Sequence, residues 1–542
     1  MSSTATSSSV QVVDRGESKP QNDEFVLETT LTPEQRKNIR ALFINASDVV
    51  LYDPGIPQGL ATLAAICESN RIPVKCIDHT ATPLDFEEIR RVMVEERINL
   101  VGMHCVTVAA LNAYRVAKVI KEVNKDCIVI IGGSHVTAMK EEPLDNNCDV
   151  VFSGEAESAF TEFLNVFPRL SKEMNQEGNG SQSSGALKDV TVLKGIRSIA
   201  YRDETGKIAF TGARPRLKNL DAVPWPARHL FQFPHLYRTP FRVAPVNSMQ
   251  VVTSRGCTEH CIFCYRGGFK DTITFRSPKN VLGEVKLNLD KFNVRQVDFI
   301  DEYLTYDLDH LGEIAQRIKD EKLGIHWAAN NTRVDSKADY EFFRFLKSTG
   351  CFRVTFGVES GDDTVLHKIG KGITTEEVKR SVDMATRAGL FVAAFFIIGH
   401  HADTPETMQK TIDFAKTLPL DACQFAISPP YPGTPLYTLL DRKGQMLISK
   451  STLDYPKTLR NWEEYKGFEY VNFYTEILSP EIVMTYYKKA YKEVNFSAAH
   501  LWKHVKKFIR TRGQYWFLYY TGASQMFLRF LNGRIPGMNK KL

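Results

Sequence analysis

The chain has 542 residues, 43% hydrophobic and 24% charged, enough to bury two or three cores. A multidomain globular protein is therefore expected, and a peptide hormone, a collagen-like fibre and a wholly disordered chain are excluded. The net charge of +6 is too small to mark the whole chain as a nucleic-acid binder, but it is unevenly placed: residues 487–542 hold twelve Lys/Arg and one acid, Glu493.

Residues 1–37 are rich in Ser, Thr and Glu, lack the apolar run of a secretory signal, and read as a disordered tail. From 38 to 167, short apolar runs at 41–45, 74–78, 100–105, 128–133 and 149–154 alternate with amphipathic stretches at 59–70, 86–96 and 109–123. That alternation predicts a doubly wound parallel α/β sheet, whose ligands gather at the carboxyl ends of the strands. Residues 168–240 read as a linker with a polar segment, 171–194, and a hairpin whose arms, 196–202 and 207–211, turn at 203–206.

A second alternating series fills 241–450. Strands are expected at 249–254, 296–301, 325–330, 352–358, 390–399 and 422–428, with helical patterns such as 279–290, 308–321, 338–348 and 375–388 between them. Six consecutive βα units predict a partial or complete barrel with its chemistry on the loops after the strands. The rhythm ends near 450, and 451–542 reads as a helical, basic and aromatic region. No window reaches the roughly 18 uninterrupted apolar residues of a membrane span. Ten cysteines, seven of them scattered singly, are not a disulfide framework, and a reducing cytoplasm suits them best.

The first barrel strand runs into Ser254-Arg255-Gly256-Cys257-Thr258-Glu259-His260-Cys261-Ile262-Phe263-Cys264. Three thiolates at C-x3-C-x2-C spacing can wrap one metal centre. Two centres compete: a closed zinc site with His260 as fourth ligand, and a [4Fe–4S] cluster on Cys257, Cys261 and Cys264 with one iron open to a small molecule. Three unligated core cysteines are the bland alternative.

With the aromatic Phe263 just before the last cysteine, this loop resembles the signature of the radical S-adenosylmethionine (SAM) superfamily. The resemblance implies that SAM chelates the open iron through its amino and carboxylate groups. Reductive cleavage of the sulfonium–C5′ bond would then give a 5′-deoxyadenosyl radical that abstracts substrate hydrogen. It also implies that Asp301 and Glu302, after strand two, contact the methionine amino group. Gly357-Val358-Glu359-Ser360-Gly361 and Lys371-Gly372-Ile373-Thr374 resemble the G-x-E-S-G and K-G-x-T segments of this branch, which makes Glu359 a SAM ligand. Arg333, after strand three, suits a bidentate carboxylate contact or a surface acid. Strand five ends in His400-His401-Ala402-Asp403 where relatives continue Pro-Gly-Glu; on a loop, adjacent histidines are more often ordinary polar residues than acids, bases or ligands. Residues 429–437 resemble the family's P-x-P-G-T-x-L segment.

A doubly wound domain ahead of such a barrel resembles the cobalamin-binding class. The residues concerned are Pro57-Gln58-Gly59-Leu60, Gly132-Gly133-Ser134-His135-Val136-Thr137 and Gly154-Glu155-Ala156-Glu157. The glycine pair either lets backbone approach a bulky ligand or simply makes a tight turn. The D-x-H-x-x-G motif, whose histidine coordinates cobalt in many cobalamin proteins, is absent after strand one, and Asp78-His79 is out of place. His104 is a candidate for the lower axial contact, although packing is the reading the residue alone favours.

The expected protein is thus an anaerobic cobalamin-dependent radical SAM enzyme that C-methylates an unactivated carbon of a hydrophobic substrate such as a lipid or tetrapyrrole. It would draw electrons from a flavodoxin or ferredoxin. Ring closure or oxidation without methyl transfer is the first alternative, and a non-catalytic cobalamin or iron–sulfur sensor the second. Hydrogen abstraction by a radical needs no protein base, so no catalytic triad is expected. The aromatic and basic tail suits a helical cap on the barrel or peripheral contact with an anionic membrane; nucleic acid is not favoured.

Overall fold

The computed structural model describes residues 27–47, 55–80, 82–172, 187–235, 237, 242–268, 271–335, 337–448 and 470–497, with a few isolated residues near either end. Eight strands make the first sheet: β1 Gln11–Val12, β2 Ala41–Asn45, β3 Val74–Asp78, β4 Leu100–His104, β5 Ile128–Gly132, β6 Val150–Phe152, β7 Ile199–Arg202 and β8 Ile208–Phe210. Their spatial order is β1-β8-β7-β6-β5-β4-β2-β3. Strands β2 to β6 are parallel, as expected of apolar runs covered on both faces. Alternate side chains of β2 serve two cores. Ala41 and Phe43 meet helices Gln58–Ser69 and Glu157–Leu170, while Leu42 and Ile44 meet helices Phe86–Glu95 and Ala110–Val123. Because β3 and β4 flank β2 on opposite sides, the carboxyl ends of β2 and β4 form the switch-point crevice in which ligands of such sheets bind.

Two details differ from the sequence-based expectation. Residues 27–37, read as the end of a disordered tail, carry helix Pro33–Asn38, started by a Thr32–Gln35 capping box behind the buried Leu31. The hairpin assigned to the linker belongs to the first sheet: β7 pairs antiparallel with β6 and with β8.

The second sheet contains β9 Asn247–Val251, β12 Val294–Phe299, β13 His326–Thr332, β14 Cys351–Glu359, β15 Phe391–Ile398 and β16 Ala422–Ile427, all parallel and in the order β16-β15-β14-β13-β12-β9. Helices Pro278–Phe292, Leu308–Asp320, Tyr340–Ser348, Thr375–Arg387 and Pro405–Thr417 alternate with the strands. The result is an open partial barrel with β9 and β16 as its edges. A separate ribbon, β10 Ser254–Arg255 against β11 Thr274–Phe275, closes the base of the cysteine loop. Helix Pro480–Ala490 and the turn Tyr491–Asn495 then cover the β16 edge: Tyr491 Oη donates to the carbonyl of Phe425 at 3.0 Å and Asn495 Nδ2 to that of Cys423 at 2.8 Å. This stretch is a cap on the barrel. The aromatic and basic segment beyond it, on which the membrane reading rests, lies outside the described residues. Among the described residues no helix is long and apolar enough to cross a membrane.

The segment joining the sheets is fastened by a buried charge triad. Glu284, on helix Pro278–Phe292, bridges Arg228 at 2.5 Å and Arg276 at 2.6 Å, and the Glu284 and Arg228 side chains are each 1% exposed. Burial alone would raise the Glu284 pKa, but the two guanidinium groups outweigh it and hold it below the ordinary 4.5. A carboxylate whose folded pKa is depressed adds stability above its unfolded pKa and loses it as pH falls through the folded value. The unfolding midpoint should therefore drop below pH 4.5 more steeply in the native chain than in Glu284→Gln, as followed by circular dichroism.

Candidate active site

The cysteine loop is stapled from both sides. Ile262 N donates to Ile369 O and Leu436 N to Ile262 O, each at 3.0 Å, which ties the loop to the segments following β14 and β16. Gly256, at φ +108°, admits the carbonyl of Thr272; a Cβ there would stand 2.1 Å from that oxygen. Cys261 is buried, Cys257 partly so and Cys264 exposed. Burial raises the Cys257 and Cys261 thiols above their ordinary pKa, and Cys261 and Cys257 lie close enough to Cys264 to disfavour its thiolate as well. The three sulfurs thus share one neighbourhood in which negative charge is costly, a cost that a bound cation removes.

Among the described residues no three His, Cys, Asp or Glu side chains converge on a single point. The fit to a cluster therefore rests on the donor set: three thiols on one short loop. His260 does not complete a zinc site. Its side chain is 72% exposed and its Nδ1 lies 2.9 Å from Arg266 Nη1.

Asp301 sits directly under this loop and is fully buried. Its Oδ1 accepts hydrogen bonds from the Thr253 amide at 2.9 Å, the Thr253 hydroxyl at 3.0 Å, the Ser254 hydroxyl at 2.7 Å and the Ser254 amide. Burial pushes its pKa up to about 6 despite these donors. The residue expected to meet SAM is engaged in setting the start of the cysteine loop. Glu302 accepts from the Gly256 amide at 3.2 Å and faces the cavity described below. Asp301→Ala should lower iron content after anaerobic reconstitution several-fold, whereas Asp301→Asn, which keeps an acceptor at Oδ1, should retain most of it; iron and sulfide analysis reads the difference.

Arg333 and Glu359 also have protein partners. Arg333 is 7% exposed and holds Asp335 bidentately, Nε to Oδ1 at 2.9 Å and Nη2 to Oδ2 at 2.6 Å. The same Nη2 reaches Glu259 of the cysteine loop at 3.2 Å and Lys371 O at 3.0 Å. Glu359, at φ +71°, pairs with the buried Lys371 at 2.8 Å. Gly357 makes room for the pair, since a Cβ there would lie 2.9 Å from Glu359 Oε1 and 3.0 Å from Lys371 Nζ. Lys371 was visible in the sequence only as part of a motif.

The Phe263 ring lies 5.5 Å from that of His400, tilted by 50°. His400 is not an ordinary polar loop residue: it is 1% exposed, its Nε2 has no hydrogen-bond partner among the described residues, and burial, with His401 and Lys371 adding to it, drives its pKa down to about 3.

The two sheets face each other across a cavity of about 460 Å³. On the first-sheet side it is lined by His104, Gly132, Gly133, Ser134 and Gly154–Glu157; on the barrel side by Arg255, Tyr265, Arg276 and Glu302; and its wall is the segment Leu220, Val223, Pro224, Trp225 and Pro226. Gly133, at φ +117°, is demanded by its own turn, where a Cβ would be 2.5 Å from Cys105 O. Gly154, at φ +75°, is likewise called for by its turn, but both it and Gly59 line the cavity, and a Cβ on either would meet nothing within 4 Å. Their bare backbone faces open space, which fits close approach by a bulky ligand. Arg255, two residues before Cys257, crosses between the sheets to Glu155 at 3.2 Å and Glu157 at 2.7 Å. Nothing in the local sequence marks that contact.

The cysteine loop on a parallel partial barrel, facing a doubly wound sheet, defines a class, and the comparisons agree. A model of the radical SAM superfamily matches residues 251–415, and one of the B12 binding domain matches residues 48–164. An uncharacterized methyltransferase of Pyrococcus horikoshii, PH0819, is 33% identical over 394 residues, covering 72% of this chain and 79% of that protein. The chain belongs to the cobalamin-binding radical SAM enzymes, and its cofactors are a [4Fe–4S] cluster, SAM and cobalamin. The anaerobic magnesium-protoporphyrin IX monomethyl ester cyclase of Rubrivivax gelatinosus is 25% identical, over 75% of this chain and 66% of that protein. The structure of the cobalamin-dependent radical enzyme OxsB with aqua-cobalamin and S-adenosylmethionine bound shares the fold, with a TM-score of 0.64 at 14% identity over 93% of this chain and 74% of that one.

Proposed function

We propose that this enzyme methylates an unactivated carbon of a hydrophobic substrate of lipid or tetrapyrrole type. The observation that carries the reading is the single cavity into which both the strand ends of the first sheet and the rim of the cysteine loop open. When bound, the cluster and SAM supply a hydrogen-abstracting radical and cobalamin supplies the methyl group. Cys257, Cys261 and Cys264 would hold the cluster. Glu302 and the Lys371–Glu359 pair would line the SAM side, with Arg333 fixing Glu259 and the Lys371 carbonyl. Gly132, Gly133, Ser134 and the open backbone at Gly59 and Gly154 would receive the corrinoid. The apolar wall from Leu220 to Pro226 would keep water from the reacting carbon.

Anaerobic incubation of reconstituted protein with dithionite, CD3-labelled SAM and candidate lipid or tetrapyrrole acceptors tests this. Label in the product together with deoxyadenosine is the expected result. Unlabelled, ring-closed product with deoxyadenosine would assign the cyclase reading, which the similarity to the Rubrivivax cyclase motivates. A reductant of flavodoxin or ferredoxin type would replace dithionite in the cell.

A further inference from the structure

The cysteine loop has two sides. One presents Arg255 and Tyr265 to the cavity shared with the first sheet, which closes it to a protein partner. The other is framed by two short helices. The carbonyl of Ile369, one residue past helix Asp363–Lys368, accepts from the Ile262 amide, and the Ile262 carbonyl accepts from the Leu436 amide in the first turn of helix Pro435–Arg442, each at 3.0 Å. Gly370 also lies against the loop, since a Cβ there would stand 2.8 Å from His260 O. Ile262 falls between Cys261 and Cys264, so one helix ends and the other begins beside the sulfur-bearing residues.

This outer frame is basic. Lys368 ends the first helix and Lys443 caps the second; both are exposed, as are His367 and Arg442. Among the described residues none of these four side chains makes an ion pair. Most nearby acids are engaged elsewhere: Glu259 with Arg333 at 3.2 Å, Asp271 with Arg266 at 3.2 Å, Asp362 with Lys410 at 3.0 Å, and Asp363 with the Thr375 amide at 2.7 Å. Asp441, before Arg442, is the exposed acid of the second helix's last turn. Lys368 and Lys443 come from separate elements yet converge on His401, whose pKa burial and these two cations hold below the ordinary 6.5. His401 follows His400, whose ring lies beside Phe263 of the loop. Positive charge gathered without internal counter-ions steers an acidic partner and fixes its register. Electron-transfer encounters are characteristically small, below about 1,200 Å², so a few charged side chains can hold one.

We infer that the face formed by Lys368, Arg442 and Lys443 around His401 docks an acidic one-electron carrier protein of flavodoxin or ferredoxin type. The inference rests on the cluster reading of the cysteine loop. In the step it serves, the reduced carrier loses one electron and the cluster gains it, with no bond made or broken and no proton moved. Full-length reconstituted protein is tested with dithionite and with a reduced acidic flavodoxin. Lys368→Glu combined with Lys443→Glu should lower flavodoxin-driven deoxyadenosine release about tenfold or more and leave the dithionite-driven rate within about twofold of native. Lys118→Glu, on an exposed helix position of the first domain, should change neither. Calorimetric titration of the native chain with oxidised flavodoxin should show affinity falling steeply between about 50 and 300 mM salt, a dependence the double variant should lose. An unchanged flavodoxin-driven rate, an equal loss with both reductants, or salt-independent binding would overturn the docking face. Loss of binding to anionic phosphatidylglycerol vesicles without a flavodoxin effect would also overturn it and assign the cations to a lipid surface. Salt-dependent flavodoxin binding by a native chain that releases no deoxyadenosine with either reductant would support the face and overturn the cluster reading instead.

Discussion

Replacing Cys257, Cys261 or Cys264 by alanine is expected to lower reductive SAM cleavage by more than about 100-fold, because loss of even an outer-shell partner of a metal site commonly costs 10–100-fold. Deoxyadenosine released with dithionite is the measurement, and iron content should fall with it. The loop gives a reason to expect similar severity at each position: its histidine does not stand by as a replacement ligand, since the His260 side chain is 72% exposed and beside Arg266. The control is Cys351→Ser. Cys351 is buried in strand β14 away from the loop, so its replacement should leave cleavage near the native rate. Undiminished cleavage in any of the three alanine variants would remove the cluster assignment and the function built on it.

Arg255→Met should cost about 3–5 kcal/mol, the usual penalty for stranding the partners of a buried ion pair. Glu155 and Glu157 are only 7% and 8% exposed in their side chains, and Arg255 is their shared cation at 23%. Burial already raises the Glu155 pKa, against the Leu217 amide and Arg255. Removing the cation raises it further. A carboxyl whose folded pKa is raised destabilises the fold progressively as pH climbs from the unfolded to the folded value, so the deficit should be larger at about pH 8 than at about pH 5. Urea unfolding at both values measures it, and Arg255→Met combined with Glu155→Gln and Glu157→Gln should recover much of the loss. A small, pH-independent deficit would show that the two sheets hold together without this clamp.

Both sheets were legible because parallel strands covered on two faces are written as continuous apolar runs, and β2, β4 and β5 fall within the runs that announced them. The cysteine spacing was legible for a similar reason: the whole donor set lies in one loop. What the sequence did not reveal depends on distant partners. Arg255 and Glu155 are 100 residues apart, and neither residue's surroundings name the other. A hairpin is marked by its turn, but that turn says nothing about which strand its outer edge will find, so β7 and β8 were read as linker. Asp301 and Glu359 were singled out from the sequence as residues that meet SAM. Their direct partners, the Thr253–Ser254 amides and Lys371, are set by how strand ends meet in space. The burial of His400 has the same origin, since only the fold brings Phe263 beside its ring.

The fastening of β16 by Tyr491 and Asn495 bears on how the protein can be handled. An uncovered terminal strand offers its backbone groups to any passing chain, and folded proteins ordinarily shield such borders. Here the shield comes from a segment 66 residues downstream, as the Phe425–Tyr491 bond records. Shortened versions that stop before Ser479 would keep every cofactor residue discussed above and yet display a naked ribbon of polypeptide. Insolubility in such a fragment would then reflect self-association through that border rather than damage to the catalytic core.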